Sequence, residues 1–137
     1  MPLIVRAPGR LPEGVESDQM SLTMDLTASI LNLARADVPQ DQTLDGIDLL
    51  GQVAAGKPAE DRTLFWRARR GDQSWKAVRD GSSKYLRRDH HDVIEEWLFD
   101  VDSDPGESRN IRSEHPDRVQ QLQAKLAAWE VEVQPDR

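Results

Sequence analysis

Residues 63–100 read TLFWRARRGDQSWKAVRDGSSKYLRRDHHDVIEEWLFD, and this stretch decides the fold. Four short runs rich in β-branched and aromatic residues follow one another, at 63–67, 75–79, 84–87 and 97–100. Turn-forming residues separate them, and Asp80-Gly81 is a strong hairpin signal because the favoured two-residue turn needs positive φ at both central positions. The stretch therefore predicts an antiparallel meander of four strands.

A helix is predicted downstream of the meander. Five apolar residues follow one another at spacings of 3, 4, 3 and 4, namely Val119, Leu122, Leu126, Trp129 and Val133. Pro116 suits the first helical position because its missing N–H would have no partner there in any case. We expect this helix to lie across one face of the meander.

Upstream, two further elements are predicted. Leu26, Ile30 and Leu33 have helical spacing and indicate a helix near 24–35, with Thr23 or Asp25 supplying the N-cap oxygen. The apolar run at 3–5 precedes a Pro- and Gly-rich segment and predicts a short strand buried on both faces. Residues 44–50 suggest a tethered loop with one helical turn.

Length and composition limit the classes of protein. The chain has 137 residues, enough for one compact domain or a piece of a larger one, and it has no cysteine for a disulfide, a thiolate metal site or a thiol nucleophile. Its N-terminus has neither a basic region nor an extended apolar region, so neither a signal peptide nor a membrane span is predicted. The net charge of −7 argues against a uniformly basic coat for nucleic acid.

Charge is nevertheless concentrated locally. Residues 62–91 hold nine basic and three acidic residues, a balance of +6, whereas 1–61 carry −6 and 92–137 carry −7. The basic residues alternate with Trp66, Trp75 and Tyr85, so they could form a surface for phosphate, sulfate or nucleic acid. The alternative, which we favour, is a solvated strand face that pairs with the acidic third of the chain.

Residues that carry chemistry are present without a complete catalytic set. Asp89-His90-His91-Asp92 has metal-binding side chains, but adjacent strand residues point to opposite faces, so we expect a hairpin loop without a metal. Glu95-Glu96 and the three aspartates at 100, 102 and 104 suggest an acid/base pair or a calcium loop, and turn and cap roles are the better interpretation. His115 precedes Pro116 and is interpreted as a residue of the helix start.

Several of these segments, taken together and in order, resemble the C-terminal end of a sulfatase, a sulfuric ester hydrolase of the arylsulfatase family. The similar segments are 2–9, 24–34, 44–50, 75–86, 98–107 and 115–116. The resemblance implies an α+β fold, in which a four-stranded antiparallel sheet with a packed C-terminal helix follows a strand, loop and helix that are a remnant of the large α/β domain. It places the remnant at 1–61 and the C-terminal subdomain at 62–137.

The same resemblance bears on function. Sulfatases carry a C/S-x-P-x-R motif that yields the formylglycine nucleophile, and they bind one divalent metal, usually calcium, in segments upstream of those matched here. Ser103 and Pro105 mimic the motif, but Glu107 stands where the family has Arg, so no catalytic, metal or cofactor residue is assigned in this chain. By analogy with the subdomain's place at the rim of the substrate pocket, the candidates for contact with an anionic substrate are Arg67, Arg69, Arg70, His90 and His91.

The expected role is therefore that of a sulfatase fragment, inactive alone, whose partners are a missing N-terminal catalytic domain and, in the intact enzyme, a sulfated small molecule or glycan. Because the segment beginning at Met1 corresponds to interior sequence of the family, a truncated reading frame or a separated fragment is expected. Relatives are often periplasmic or secreted, but the compartment of this chain is left open. The alternatives are a stand-alone polyanion-binding module that uses 62–91, and an interaction subunit that completes a separately encoded catalytic chain.

Overall fold

The computed structural model describes residues 3–39 and 41–133. The chain forms two compact units, Met1–Glu60 and Asp61–Arg137, which we call the N-terminal unit and the C-terminal unit. Regular structure in the described residues consists of α1 (Thr23–Ala34), α2 (Leu49–Ala54), β1 (Thr63–Arg70), β2 (Gln73–Asp80), β3 (Ser83–His90), β4 (Val93–Asp100) and α3 (Pro116–Val133). Within those residues, no helix combines the length and the apolar character needed to span a membrane.

The C-terminal unit is built on an antiparallel meander in which β1, β2, β3 and β4 are neighbours in chain order. Each strand pairs with the next over all eight of its residues, so that Arg70 lies opposite Gln73 at one end. Gly71 and Gly81 both have φ of 61°, which explains glycine at the start of the first two turns. The predicted four-stranded sheet is confirmed, and its strands are longer than predicted because the polar residues beside each turn also pair.

Helix α3 covers one face of this sheet, as predicted. The core joins residues of the helix to residues of β2, β3 and β4, namely Val119, Leu122, Leu126, Val78, Tyr85 and Leu98. Trp129 extends the contact by stacking on Phe65, with 5.1 Å between the ring centroids. Each large apolar side chain buried in this way contributes about 1.5–3 kcal/mol before the entropy of ordering is subtracted. The α+β architecture expected for the C-terminal subdomain is therefore present.

The strand predicted at the start of the N-terminal unit does not form. Residues 3–7 have no regular secondary structure, and the one sheet of the described residues does not include them. Leu3, Ile4 and Val5 are 45%, 90% and 42% exposed. A strand needs a hydrogen-bonded neighbour, and no described residue supplies one here, so the β-prone composition of this run is not sufficient.

Helix α1 confirms the predicted helix, but its start is organised differently. Asp25 is fully buried, and its two carboxylate oxygens accept the Leu22 N–H at 2.7 Å and the Ile47 N–H at 2.9 Å. The N-cap residue is Leu22, so the expectation that Thr23 or Asp25 would be the N-cap is wrong. Asp25 lies one turn later and reaches back to the backbone that precedes the helix, which is half of a capping box.

A second buried polar residue holds the loop after α1 against the helix. The Ser29 hydroxyl donates to the Asp25 carbonyl at 2.7 Å and accepts the Leu50 N–H at 3.1 Å. Gly46 lets the loop pass close to the helix, since a Cβ there would lie 2.3 Å from the Met24 carbonyl oxygen. The tethered loop predicted at 44–50 is therefore present, and it leads into the six-residue helix α2 rather than into a single turn.

Candidate functional site

The three arginines predicted to contact an anion lie on β1, which is an edge strand because it has only β2 as a neighbour in the sheet. Arg67, Arg69 and Arg70 are exposed, and none of them forms an ion pair with another described residue. Phe65 packs towards α3, so alternation along the strand places Arg67 and Arg69 on that face and Arg70 on the opposite face. The three guanidinium groups therefore line the edge rather than forming one cluster.

The other basic residues of 62–91 are mostly paired. Salt bridges join Lys76 to Glu130, Arg79 to Asp102, Lys84 to Glu107, and Arg88 to Glu95. All four acidic partners come from 92–137, so the expected pairing with the acidic third of the chain is confirmed for these cations. Because those charges are neutralised, the exposed and unpaired positive charge found in this segment lies on β1.

Aromatic side chains divide between the two faces of the sheet. Trp75 and Trp97 stack with 6.2 Å between their centroids, and the Arg88 guanidinium lies 5.2 Å from the Trp75 centroid. Tyr85, by contrast, is fully buried under α3, so it takes no part in the basic surface considered as one of the two alternatives. Its hydroxyl donates to Glu96 at 2.5 Å. Burial is the largest cause that raises the pKa of Tyr85, to about 12, and this bond to a carboxylate is the second.

The β1–β2 and β3–β4 turns meet at one end of the sheet and bring three ionisable side chains together. The Nε2 atom of His91 lies 2.8 Å from Oδ2 of Asp72, and the Nε2 atom of His90 lies 3.4 Å from the same oxygen. The two imidazole centroids are 4.5 Å apart. We call Asp72, His90 and His91 the turn cluster. Arg70 is in the same row as His90 across β1, β2 and β3.

The turn cluster corrects the expectation that His90 and His91 diverge. Strand β3 ends at His90, and His91 has φ of 51°, so the alternation of a strand does not extend to it. Asp89 does not join them, because it accepts a hydrogen bond from Arg87 at 2.8 Å, which is the main reason that its pKa is lowered. The carboxylate that does join them is Asp72, from the other turn.

Asp72 was missed by the sequence reasoning, although a signal for it existed. The four strands have equal length and two-residue turns, so every second turn falls at the same end of the sheet. Counting eight-residue strands in both directions from the turn at 81–82 places 71–72 beside 91–92. Residues that are distant in sequence therefore become neighbours through the regularity of the meander.

The remaining carboxylates have turn and cap roles, as expected. Hydrogen bonding by Ser103 is the largest cause that lowers the pKa of Asp100. The Arg109 N–H lies 2.9 Å from Oδ2 of Asp104 and is the largest cause that lowers the pKa of that residue. These carboxylates accept hydrogen bonds from the surrounding turns and do not converge on a common point. No calcium loop is therefore formed by them.

Glu95 and Glu96 do not form an acid/base pair. Glu95 binds Arg88, whereas Glu96 accepts hydrogen bonds from Tyr85 and from Gln123. Neighbouring residues of a strand face opposite sides of the sheet, which explains the different partners. The Tyr85 hydroxyl is the largest cause that lowers the pKa of Glu96, so this carboxyl is ionised at neutral pH.

The residues that mimic the sulfatase motif do not fit a formylglycine or calcium centre. The Ser103 hydroxyl lies in a turn, 3.5 Å from the Asp100 carbonyl oxygen. Glu107 occupies the position of the family's arginine and binds Lys84 at 2.5 Å. His115 belongs to the start of α3, where its carbonyl accepts the Val119 N–H at 3.1 Å, so its interpretation as a residue of the helix start is confirmed. No catalytic step is derived from these residues.

Comparison with known families decides the relationship. The sequence model of the family described as N-sulphoglucosamine sulphohydrolase, C-terminal, matches residues 1–134. The chain belongs to this sulfatase family. A sulfatase of Schizosaccharomyces pombe is 28% identical over 140 residues, covering 96% of this chain and 25% of the relative. The N-acetylgalactosamine-6-O-sulfatase of Bacteroides thetaiotaomicron is 25% identical over 138 residues, covering 92% of this chain and 26% of the relative.

Solved structures share the fold of this sulfatase domain. Ps i-CgsB superposes with a TM-score of 0.70 at 18% identity, covering 89% of this chain and 27% of that structure. A 2-O GAG sulfatase superposes with a TM-score of 0.60 at 22% identity, covering 79% of this chain and 24% of that structure. The chain spans 12% to 26% of the length of the curated relatives that it matches. It therefore corresponds to one part of those proteins.

Proposed function

We propose that this chain is the C-terminal portion of a sulfatase that hydrolyses sulfate esters when a catalytic domain is present, and that the 137 residues alone are inactive. The match of residues 1–134 to a C-terminal sulfatase domain carries the proposal. The small share of each relative that the chain spans supports it. So does the departure from the C/S-x-P-x-R motif at Glu107, which stands where the family has Arg.

We propose that the two units differ in origin. Residues 1–61 would be the remnant of the α/β catalytic domain, and 62–137 the C-terminal subdomain. The separation of the two compact units between Glu60 and Asp61 supports a boundary at this place. In the intact enzyme, formylglycine and calcium of the catalytic domain would supply the attack on sulfur and the stabilisation of charge, and the present residues would contribute substrate binding.

The residues proposed for substrate binding are Arg67, Arg69, Arg70, His90 and His91. Guanidinium groups suit this role because their planar forks match the oxygens of sulfate and carboxylate. Arg70 and His90 occupy one row of the sheet, so they can approach the same anionic group. Relatives named N-acetylgalactosamine-6-sulfatase and N-acetylgalactosamine-6-O-sulfatase support a sulfated sugar as the substrate class.

The first test measures hydrolysis of 4-nitrophenyl sulfate by the purified chain. We expect no release of nitrophenol above the blank, and turnover that calcium stimulates would contradict the proposal. The second test compares variants in the chain joined to a sulfatase catalytic domain. Charge reversal in Arg69→Glu/Arg70→Glu should raise KM for a sulfated sugar about tenfold, the effect of losing about 1.4 kcal/mol of binding, with kcat unchanged.

Arg109→Glu is the matched control for charge reversal. Arg109 is exposed and pairs with Glu114 away from β1, so its reversal changes the net charge by the same amount per residue without touching the edge strand. If Arg109→Glu raises KM as much as the β1 variant does, the effect is one of overall charge. If neither variant changes KM, the β1 arginines are merely solvated and the proposed contacts are wrong.

A stand-alone polyanion-binding module is the second candidate function. The exposed, unpaired arginines of β1 favour it, and the neutralisation of most other cations in the basic segment weighs against it. This candidate predicts retention of the wild-type chain on heparin that falls steeply with salt and is lost in Arg69→Glu/Arg70→Glu. If the wild-type chain and the Arg69→Glu/Arg70→Glu variant both elute from heparin at low salt, the binding is nonspecific and this candidate function is wrong. Nucleic acid and membrane are not proposed as partners.

A further inference from the structure

The structure assigns a metal-ligand set to the turn cluster: we propose that Asp72, His90 and His91 bind a divalent first-row transition metal ion, with Zn²⁺ as the probe. The three ligand atoms, one from each side chain, all lie within 4.8 Å of one another. Two imidazoles and one carboxylate are a ligand type that zinc and related ions use in proteins. The inference goes beyond the proposed function, since cation binding here would stand whether or not the chain contacts a sulfate ester.

The ligand atoms lie close to the separations that a metal site requires. Both imidazoles direct Nε2 towards one carboxylate oxygen, at 2.8 Å and 3.4 Å. Bond lengths of about 2.1 Å in a tetrahedral zinc site place neighbouring ligand atoms about 3.4 Å apart. A cation between the three atoms therefore needs only small side-chain rotations. The φ of 51° at His91 is the backbone feature that turns its ring towards His90.

The charge and exposure of the cluster define the kind of site. The side chains of His90, His91 and Asp72 are 38%, 68% and 55% exposed, so the ion would enter directly from solvent. One carboxylate and two neutral imidazoles leave a bound divalent ion with a net charge of about +1 and at least one open position. That position would accept water or an anionic oxygen. Binding should be weaker than at a buried structural zinc site.

The test is calorimetric titration of the full 137-residue chain with Zn²⁺. We expect one ion per chain. The affinity should fall at least about tenfold in Asp72→Asn, His90→Ala and His91→Asn, because even the loss of a residue that only supports a metal ligand lowers affinity by about this factor. Asparagine at 91 is chosen because it tolerates a positive φ. Asp92→Asn and His115→Ala are the matched controls, since each removes the same kind of side chain outside the cluster.

Nuclear magnetic resonance of the wild-type protein gives a measurement that does not depend on the folding of any variant. The chain has three histidines, so addition of Zn²⁺ should shift the imidazole signals of His90 and His91 while those of His115 stay in place. Equal shifts at all three histidines, or equal loss of affinity in His115→Ala, would overturn the proposal. Lack of saturable binding up to about 1 mM Zn²⁺ would overturn it as well.

Discussion

Different interactions stabilise the interior of each of the two units. The C-terminal unit has a repeated local pairing pattern and an apolar core in which Leu122, Tyr85 and Val78 are fully buried. In the N-terminal unit the fully buried side chains are polar, Asp25 and Ser29, and they fasten a loop to one helix. In a meander each strand pairs with the next strand in the sequence, so the sheet needs no distant partner. A short helix and loop rely instead on a few directed hydrogen bonds.

The distribution of aromatic residues makes this comparison measurable. All four tryptophans and the one tyrosine lie in 61–137, so intrinsic fluorescence reports on the C-terminal unit. The N-terminal unit has no such probe and is followed instead by hydrogen exchange of its backbone amides. The two signals therefore assign a loss of stability to one unit or the other.

The largest expected effect is in the apolar core. Leu122→Ala removes a fully buried side chain at the centre of the contact between α3 and the sheet, and it should lower the free energy of unfolding by about 3 kcal/mol. Urea unfolding followed by tryptophan fluorescence measures the loss. Val131→Ala in the same helix is the control, because Val131 is 78% exposed and its change should cost less than about 0.5 kcal/mol. Equal losses in the two variants would contradict the proposed core.

The regular parts of the fold could be predicted from sequence because their signals are local. Gly81 marks a turn, although its central residues are Gly81 and Ser82 rather than the predicted Asp80 and Gly81. The strand runs repeat at short intervals, and Leu122 belongs to an unbroken helical row. The prediction of a strand at 3–5 was wrong because a strand depends on a non-local feature, namely a neighbouring strand that shares its hydrogen bonds. Composition describes the run but not its partner.

The candidate site was predictable only in part. The exposure of Arg69 and Arg70 follows from their place on an edge strand beside a turn, which the pattern indicates. The turn cluster did not follow, because it depends on the φ of His91 and on the strand register that brings Asp72 beside it. Both are properties of the folded backbone. The sequence pattern predicts the register only after the strand lengths are known.

The next effect tests the directed hydrogen bonds of the N-terminal unit. Asp25→Ala leaves the Leu22 and Ile47 N–H groups without their carboxylate acceptor, which should cost about 2 kcal/mol. These two amides should then exchange roughly 30 times faster in native-state hydrogen exchange. Asp25→Asn keeps one carbonyl oxygen and should restore part of the protection. Asp45→Asn, at an exposed carboxylate of the same unit, should change neither amide, and unaltered exchange in Asp25→Ala would refute the role of this carboxylate.

The smallest expected effect is at Asp80, whose carboxylate is bound by cationic side chains, whereas that of Asp25 is bound by backbone N–H groups. Asp80 accepts hydrogen bonds from Lys125 at 2.7 Å, Arg118 at 3.0 Å and Thr63 at 2.9 Å, and the bond from Lys125 is the largest cause that lowers its pKa. Asp80→Asn should therefore cost about 1 kcal/mol at pH 7, because the network is partly exposed and screened by solvent.

The pH dependence of that loss has a definite sign. A carboxyl group whose folded pKa lies below its ordinary value of 3.8 stabilises the fold above pH 3.8, and this contribution disappears as the pH falls through the folded value. Wild type and Asp80→Asn should thus converge in stability as urea unfolding is repeated from pH 7 towards pH 2. Added salt should narrow the difference at pH 7 by screening Lys125 and Arg118, while the cost of Asp25→Ala should persist, since backbone N–H groups carry no net charge. A difference for Asp80→Asn that is insensitive to both acid and salt would mean that packing around β2, rather than charge, holds this end of α3.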